Sequence, residues 1–490
     1  MGIEIDRTSF TDADVRRFRA ALQDNLSQLR ELLATPGFGV GSASLGAELE
    51  MYIVDGHGRP LHCNQEIHAA ANDAQLTLEL NRYNLEYNLS PYRIDQGVFA
   101  ATEREILDKL GYLAKVAAGF GGYIVPIGIL PTLREDDFGP HCITDRQRYH
   151  ALVAQLLSRR GDSFQIDING DDPLRLAMGD ITLEGANTSF QVHYRVDPAR
   201  YADTYNAIQL TTPLVLATAA NSPTLFGHRL WHETRIPLFK QSIDTRQVDR
   251  YGWNEPARVN FGQGWVRRDA LEMFREVVRI YPPLLPLCAP AAYASDSDVP
   301  GLAELRLHQS TVWLWNRPVY DDADGGHLRI ELRALPAGPT PVDMVANAAF
   351  HIGLAEGLRE QVEELLPALP FRLAEYNFYR AAQFGLDAQL LWPEPDQSGY
   401  REQRAGDLIA RFLPVAEQGL LAIGVEAAEA RHYLSVVEQR LVSQQTGASW
   451  QLARLEQLMR RHSAERALQA LLEEFMDNSA QNMPVGGWSL

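Results

Sequence analysis

Glu48 and Glu50 stand in the run Gly46-Ala47-Glu48-Leu49-Glu50-Met51-Tyr52-Ile53-Val54, two carboxylates with one apolar residue between them. The second half of the run is β-branched and aromatic and Asp55-Gly56 is a turn signal, so the spacing predicts a strand. Side chains on a strand alternate faces, which sends both carboxylates one way and Ala47, Leu49 and Met51 the other. Like charges sharing a face resist leaving water unless the face is wet, one acid keeps its proton, or a cation lies between them. An antiparallel sheet with one solvated side carries the same pattern, so this pair alone leaves a cation site and a plain surface both open.

The pattern recurs. In Asn84-Leu85-Glu86-Tyr87-Asn88-Leu89, alternation sets Asn84, Glu86 and Asn88 against Leu85, Tyr87 and Leu89. Thr188 to Val196 reads as a third strand with Gln191 and His193 on one face, and His327 to Leu335 as a fourth with Arg329, Glu331 and Arg333 together. Glu79 precedes Glu86 by an odd interval, cannot share its strand face, and must reach any common site from a loop; spacing alone makes it an ordinary surface acid. A single histidine or a Glu/Arg pair is equally commonplace taken alone. If the four strands form one sheet, their shared face collects carboxylates and an imidazole, a donor set for a hard divalent cation. Magnesium fits best, with manganese as the alternative, because magnesium keeps waters and shares oxygens with phosphates; the neighbouring arginine then points to nucleoside-triphosphate chemistry.

The elements that must hold these residues are spread along 490 residues with 46% hydrophobic content, enough for a large core. The formal charge of −18 argues against nucleic acid or an anionic membrane surface as partner. Cys63, Cys142 and Cys288 lie far apart, without zinc-site spacing or a disulfide framework. Residues 1–6 lack a leader pattern and no long apolar run follows, which points to a soluble cytoplasmic protein. Thr11 and Asp14 form a helix-start pair ahead of Val15, Phe18, Leu22, Leu26, Leu29 and Leu33, a scaffold helix ending before Pro36. The Gly37/Gly39/Gly41 loop lacks the lysine and hydroxyl of a phosphate loop. Further helices are expected over 98–118, after Thr144-Asp145, from Pro198 to Ala219, near 268–280 and from Pro341; 119–130 reads as turn plus strand. Residues 393–399 read as a polar linker and the rest as helical through Leu472, broken near Gly424 and Gly447. Arg229, Trp231, His232, Arg235, Lys240 and Arg246 make the most basic neighbourhood: either scattered solvated cations or an arginine-lined pocket for phosphate or carboxylate.

Taken in order, Gly46-Ala47-Glu48-Leu49-Glu50, Glu79 with Glu86, Val192-His193-Tyr194, Ala220-Asn221-Ser222-Pro223 and Glu331-Leu332-Arg333 resemble the glutamate-cysteine ligase type 2 (carboxylate-amine ligase) family over roughly residues 40 to 350. The resemblance implies a glutamine-synthetase-like α+β fold, a curved antiparallel sheet flanked by helices, with a catalytic domain over 1–395 and a C-terminal helical region over 396–490. It implies Glu48, Glu50, Glu79, Glu86, His193 and Glu331 as metal ligands, with Glu50 also taking part in catalysis. Arg333 would face the transferring phosphate, and Arg235, Asn88 and Gln191 would hold substrate or nucleotide. The implied activity uses ATP and magnesium to turn a carboxylate, the γ-carboxylate of glutamate, into an acyl phosphate that an amine such as cysteine attacks. The partners are then an amino acid and an amine, and the C-terminal helices either close the site or mediate a homo-oligomer. Two positions depart from the family pattern: Gln191 stands where some members have a second histidine, and Ala334-Leu335-Pro336 follows Arg333 where relatives often carry an acid. The competing readings are a phosphotransferase to a guanidino or amine acceptor and a non-catalytic nucleotide-binding protein; the retained acids, His193 and Arg333 speak against the latter.

Overall fold

The computed structural model describes residues 5, 7–246, 255–289, 298–393 and 400–490. The leader reading of residues 1–6 and the linker expected at 393–399 fall largely outside them. The principal strands are β1 (Ser44–Val54), β2 (Leu76–Leu78), β3 (Asn84–Asn88), β4 (Tyr92–Arg93), β5 (Tyr123–Val125), β6 (Phe190–Val196), β7 (Asn316–Asp321) and β8 (His327–Leu332). They build one curled antiparallel sheet in the order β7-β8-β6-β1-β3-β2, with β4 and β5 also paired to β1. Alternation along β1 buries Leu45, Ala47, Leu49 and Met51 and leaves Glu48 and Glu50 half-buried on the opposite face. The register sets Glu50 across from Glu86, Glu48 between Asn88 and Gln191, His193 across from Glu331, and Glu331 across from Arg317.

The principal helices are α1 (Asp12–Ala34), α2 (Val98–Ala118), α3 (Gln147–Arg160), α4 (Tyr201–Ala219), α5 (Pro341–Leu358), α6 (Ala405–Ala422), α7 (Ala427–Ser443), α8 (Gly447–Met459) and α9 (Ala464–Ala480), of which α2, α4 and α5 pack against the sheet. Thr11 and Asp14 cap α1 reciprocally, and Phe18, Leu22, Leu26 and Leu29 form its buried stripe. Thr340 caps α5, with Pro341 in its first turn. Both α4 and α5 are apolar on almost every side and almost wholly buried, as a helix enclosed by protein must be. α6 meets α5 backbone to backbone: a Cβ on Gly419 would lie 2.0 Å from the Gly353 carbonyl oxygen, so only glycine permits the approach.

Four expectations change in detail. Residues 400–404 form a strand paired with Gln389–Pro393, not the start of a helix. The helical tail runs on to Ala480 and breaks a third time at 460–463. The strand expected within 119–130 is confined to Tyr123–Val125. The sheet also gains β2, β4 and β7, too short or, with Pro318, too interrupted to show a clean period.

The C-terminal helices are tied to the rest of the protein by a buried ion pair. Arg440 of α7 donates to Asp343 Oδ1 of α5 at 2.9 Å and to Asn347 Oδ1 at 2.5 Å, while Asp343 Oδ2 accepts from Thr340 Oγ1 at 2.6 Å and from the Val485 amide at 2.9 Å. Both charges are almost without solvent contact. Removing one partner strands the other, a loss of about 3–5 kcal/mol. Arg440→Met is therefore expected to lower the urea midpoint sharply, and a midpoint equal to wild type would show that this pair does not hold the tail.

Candidate active site

Two clusters share the concave face of the sheet. Glu48 of β1, His193 of β6 and Glu331 of β8 offer ligand atoms that all lie within 4.8 Å of one another, and so do Glu50 of β1, Glu86 of β3 and Glu79. Glu79 reaches the second cluster from the loop that leaves β2, where strand alternation no longer governs its direction. His193 Nε2 lies 3.0 Å from Glu48 Oε1. Glu50 accepts from the Ser189 amide and from Gln191 Nε2, both at 2.7 Å. Arg333 Nη1 donates to both Glu331 and Gln191, so Gln191 links the guanidinium to Glu50. Glu86 accepts from Thr77 Oγ1 at 3.0 Å and from Asn88 Nδ2 at 2.9 Å.

The two clusters differ in charge balance. Burial alone would raise Glu331, but Arg317, its Nη1 3.5 Å away, and Arg333 hold its carboxyl down to about 2. Burial likewise works against Glu48, and His193 outweighs it, leaving the carboxyl below its ordinary value. On the other side burial dominates. It raises Glu50 despite Arg333, Ser189 and Arg235; it pushes Glu86 to about 8, reinforced by Glu48 and Glu50; and it drives Glu79 well up, reinforced by Glu86 and Glu50. Glu184, at the entry to β6, is raised to about 8 by burial and by Glu50. Carboxylates gathered in this way have too little countercharge to offset their burial, and oxygen donors converging so suit a hard divalent cation. The residues present therefore fit magnesium or manganese.

Three cavities meet at Glu48. One of about 740 Å³ runs past Thr77, Glu79, Glu86 and Asn88 to Arg146 and Arg148. Another of about 590 Å³ passes Asn88 and His193 toward Arg93, Arg195, His327 and Arg329. A third of about 570 Å³ opens between β7 and the helix Ala303–Gln309, over Glu331 and Arg333. Arg235 lines none of the three but lies next to Arg333: it is buried, its Nε donating to Glu233 Oε1 at 2.8 Å and its Nη2 to the Ala334 carbonyl at 2.7 Å. The basic neighbourhood around it does not converge, for Arg229 pairs with Asp172, Arg246 with Asp244, and Lys240 donates to Tyr379. Sequence reasoning missed Arg148, Arg317 and Glu184. Arg317 was in principle visible, as it alternates with Val319 and Asp321, but Pro318 masks the strand.

A curved antiparallel sheet with acids, histidine and arginine on its concave face and helices behind is a glutamine-synthetase-like fold, and the family match that follows makes the chain an ATP-dependent ligase joining a carboxylate to an amine. Residues 44–474 match the model of glutamate-cysteine ligase family 2, and the chain belongs to that family. A Frankia alni protein named "Putative glutamate–cysteine ligase 2-1" is 25% identical over 454 residues, covering 88% of this chain and 95% of its own. The glutamate–cysteine ligase of Francisella tularensis, solved in complex with AMP, shares the fold with a TM-score of 0.55 at 11% identity, covering 92% of this chain and 95% of that one. A bifunctional glutathione synthetase from Pasteurella multocida aligns with a TM-score of 0.48 at 14% identity, covering 94% of this chain and 55% of its own. Among the described residues no helix is long and apolar enough to cross a membrane.

The charge imbalance has a pH signature. Glu86 holds its proton more tightly when folded, at about 8 against the ordinary 4.5, so its contribution to stability is full below pH 4.5 and is lost as pH rises through 8. The metal-free protein is expected to lose thermal stability across that window, and millimolar magnesium to restore it with release of protons. Calorimetry in buffers of different ionisation enthalpy reads the proton count; magnesium binding without proton release, or no binding, would remove the cation reading.

Proposed function

We propose that this chain is an ATP- and magnesium-dependent ligase that phosphorylates the γ-carboxylate of glutamate and joins the acyl group to an amine. The observation that carries the reading is the link Glu331–Arg333–Gln191–Glu50, which places one cation between two acid clusters on a single face. Glu48, His193 and Glu331 would hold one magnesium ion, and Glu50, Glu79 and Glu86 another. Bound there, magnesium screens the charge of the triphosphate and of the phosphoryl group in flight. The triphosphate fits the end of the face where Arg93, Arg195 and Arg329 line a cavity, and the donor carboxylate fits the end near Gln191 and Arg333.

In the first step a carboxylate oxygen attacks the γ-phosphorus, and the bond to the β–γ bridging oxygen breaks, releasing ADP with that electron pair. Arg333 aims its donors where the equatorial oxygens gather charge. In the second step the amine lone pair attacks the acyl carbon, the C–O bond to phosphate breaks, and the nitrogen gives up its extra proton to the departing phosphate or water. The chain need supply no covalent nucleophile; it orients three reactants and excludes water. The family's name and the AMP complex of the Francisella tularensis enzyme support ATP and glutamate as the reactants.

Hydroxylamine tests the first step, because it traps an acyl phosphate as a hydroxamate. Protein, ATP, magnesium, glutamate and hydroxylamine should yield ADP and hydroxamate in equal amounts, and Glu50→Gln should abolish both. ADP with a phosphorylated acceptor would establish a phosphotransferase instead. Silence of the wild type, or wild-type turnover by Glu50→Gln, would overturn the assignment.

A further inference from the structure

The glycine-spaced loop over 37–41 has no part in the reaction above, although it runs directly into Ser42 and Ser44, which line the cavity of about 590 Å³ given to the triphosphate. Two of its glycines make close contacts with the walls of that cavity. A Cβ on Gly39 would lie 2.8 Å from Pro198 Cγ, just beyond β6, and 3.7 Å from the Cα of His327, where β8 begins. The loop is thus wedged between the ends of two sheet strands, and its exit is held by the Ala43 carbonyl, which accepts from the Ile94 amide at 3.0 Å.

Gly41 meets something different. Its backbone lies outside the left-handed region, so the conformation does not require glycine. What a Cβ would strike is a side chain: Arg195 Nη2 at 2.7 Å and Arg195 Cζ at 3.2 Å. The space that any other residue would fill is occupied by the end of this guanidinium. Arg195 stands on β6 two residues after His193, so alternation puts both on the concave face, and both line the cavity.

The three arginines of the cavity are not equally available. Arg93 pairs with Asp95 at 2.7 Å and Arg329 with Asp321 at 2.9 Å, whereas the carboxylate facing Arg195, Asp324 Oδ2, stands 4.0 Å away on a largely exposed side chain. A guanidinium whose counterion is distant and solvated keeps the most charge for an incoming phosphate, and its fork matches phosphate oxygens. In a phosphate loop, glycines let backbone amides approach the anion. Here a glycine makes room for an arginine instead, which explains how a glycine-rich stretch can serve a triphosphate without the lysine and hydroxyl of such a loop.

We infer that Arg195 is a phosphate ligand of the nucleotide and that Gly41 is its positioning residue, keeping open the space in which the guanidinium lies against the loop and faces the cavity. The inference rests on the ligase reading above, from which it takes the nucleotide, and adds the residue that sets the direction of one phosphate contact.

Calorimetric titration with magnesium and the non-hydrolysable triphosphate AMP-PNP tests it without turnover. Gly41→Ala and Arg195→Met should each weaken AMP-PNP about tenfold, the scale of one charge-assisted contact. The double variant should bind no more weakly than Arg195→Met alone, as expected of residues that act through one contact. Because the atoms a Cβ would strike are the free end of a side chain, Gly41→Ala should melt as the wild type does. Val40→Ser, on the same loop and 62% exposed, should keep wild-type affinity. Additive losses in the double variant, wild-type affinity in Gly41→Ala, an equal loss in Val40→Ser, or a loss in Gly41→Ala that comes only with a lowered melting temperature would overturn the inference. Absence of AMP-PNP binding by the wild type would overturn it together with the ligase reading, whereas hydroxamate formation by a wild type whose nucleotide affinity these variants leave unchanged would overturn it alone.

Discussion

The structure is organised around a repulsion. Glu50, Glu79 and Glu86 are held with ligand oxygens within 4.8 Å of one another, although burial raises all three and the charge of neighbouring carboxylates raises Glu79 and Glu86 further. Short side chains on a flexible backbone would swing apart. They stay because each is fixed from behind: Glu50 and Glu86 by adjacent strands in register, Glu79 by the turn out of β2, and the strands by an apolar face packed against α4 and α5. A scaffold that holds unfavourable charges together stores, in geometry, the binding free energy of whatever neutralises them.

The size of the helical layer follows from the same demand. A curled sheet with one polar concave face has only its convex face to bury; α2, α4 and α5 pack on the sheet and α6 packs behind α5. The backbone contact at Gly353 and Gly419, and the Arg440–Asp343 pair, lock the later helices to the earlier ones. Asn221, in the segment between α4 and the arginine-bearing stretch, accepts from Gln451 of α8 and donates to the Ala337 carbonyl just beyond β8. The C-terminal helices thus reach, through Asn221, the segment that leaves the sheet after β8.

Much of this was legible because the period-two signal is clean where one face is apolar. Glu48/Glu50, Glu86 and Glu331 sit in strands whose alternate residues are Leu, Ile, Tyr, Met or Ala, Arg333 directly follows the last of these strands, and the register brings together what alternation had sorted. The signal fails for elements of two or three residues, for β7 with its proline, and for 400–404, where Arg401, Glu402, Gln403 and Arg404 offer no apolar phase. Convergence from a loop or from a helix is invisible to periodicity, which is why Glu79 needed the family pattern and Arg148 escaped it. For Arg235 a basic stretch suggests a pocket; the structure pairs it with the buried Glu233 two residues away and sets it against the Ala334 carbonyl, next to Arg333.

The two departures from the family pattern read differently once the register is known. Gln191 does not have to be a ligand, since His193 already serves the cluster with Glu48 and Glu331. An amide at this position can accept from Arg333 and donate to Glu50 at once, which a histidine could do only in one tautomer. After Arg333, Ala334 and Leu335 are buried, and their backbone continues the sheet: the Leu335 carbonyl accepts from the Phe190 amide, and that of Ala334 accepts from Arg235. An acid there would be placed in packed apolar surroundings, where its charge would be expensive. Glu233 reaches this segment through the Arg235 guanidinium, so a fixed ion pair lies behind the end of the sheet assigned here to the donor carboxylate.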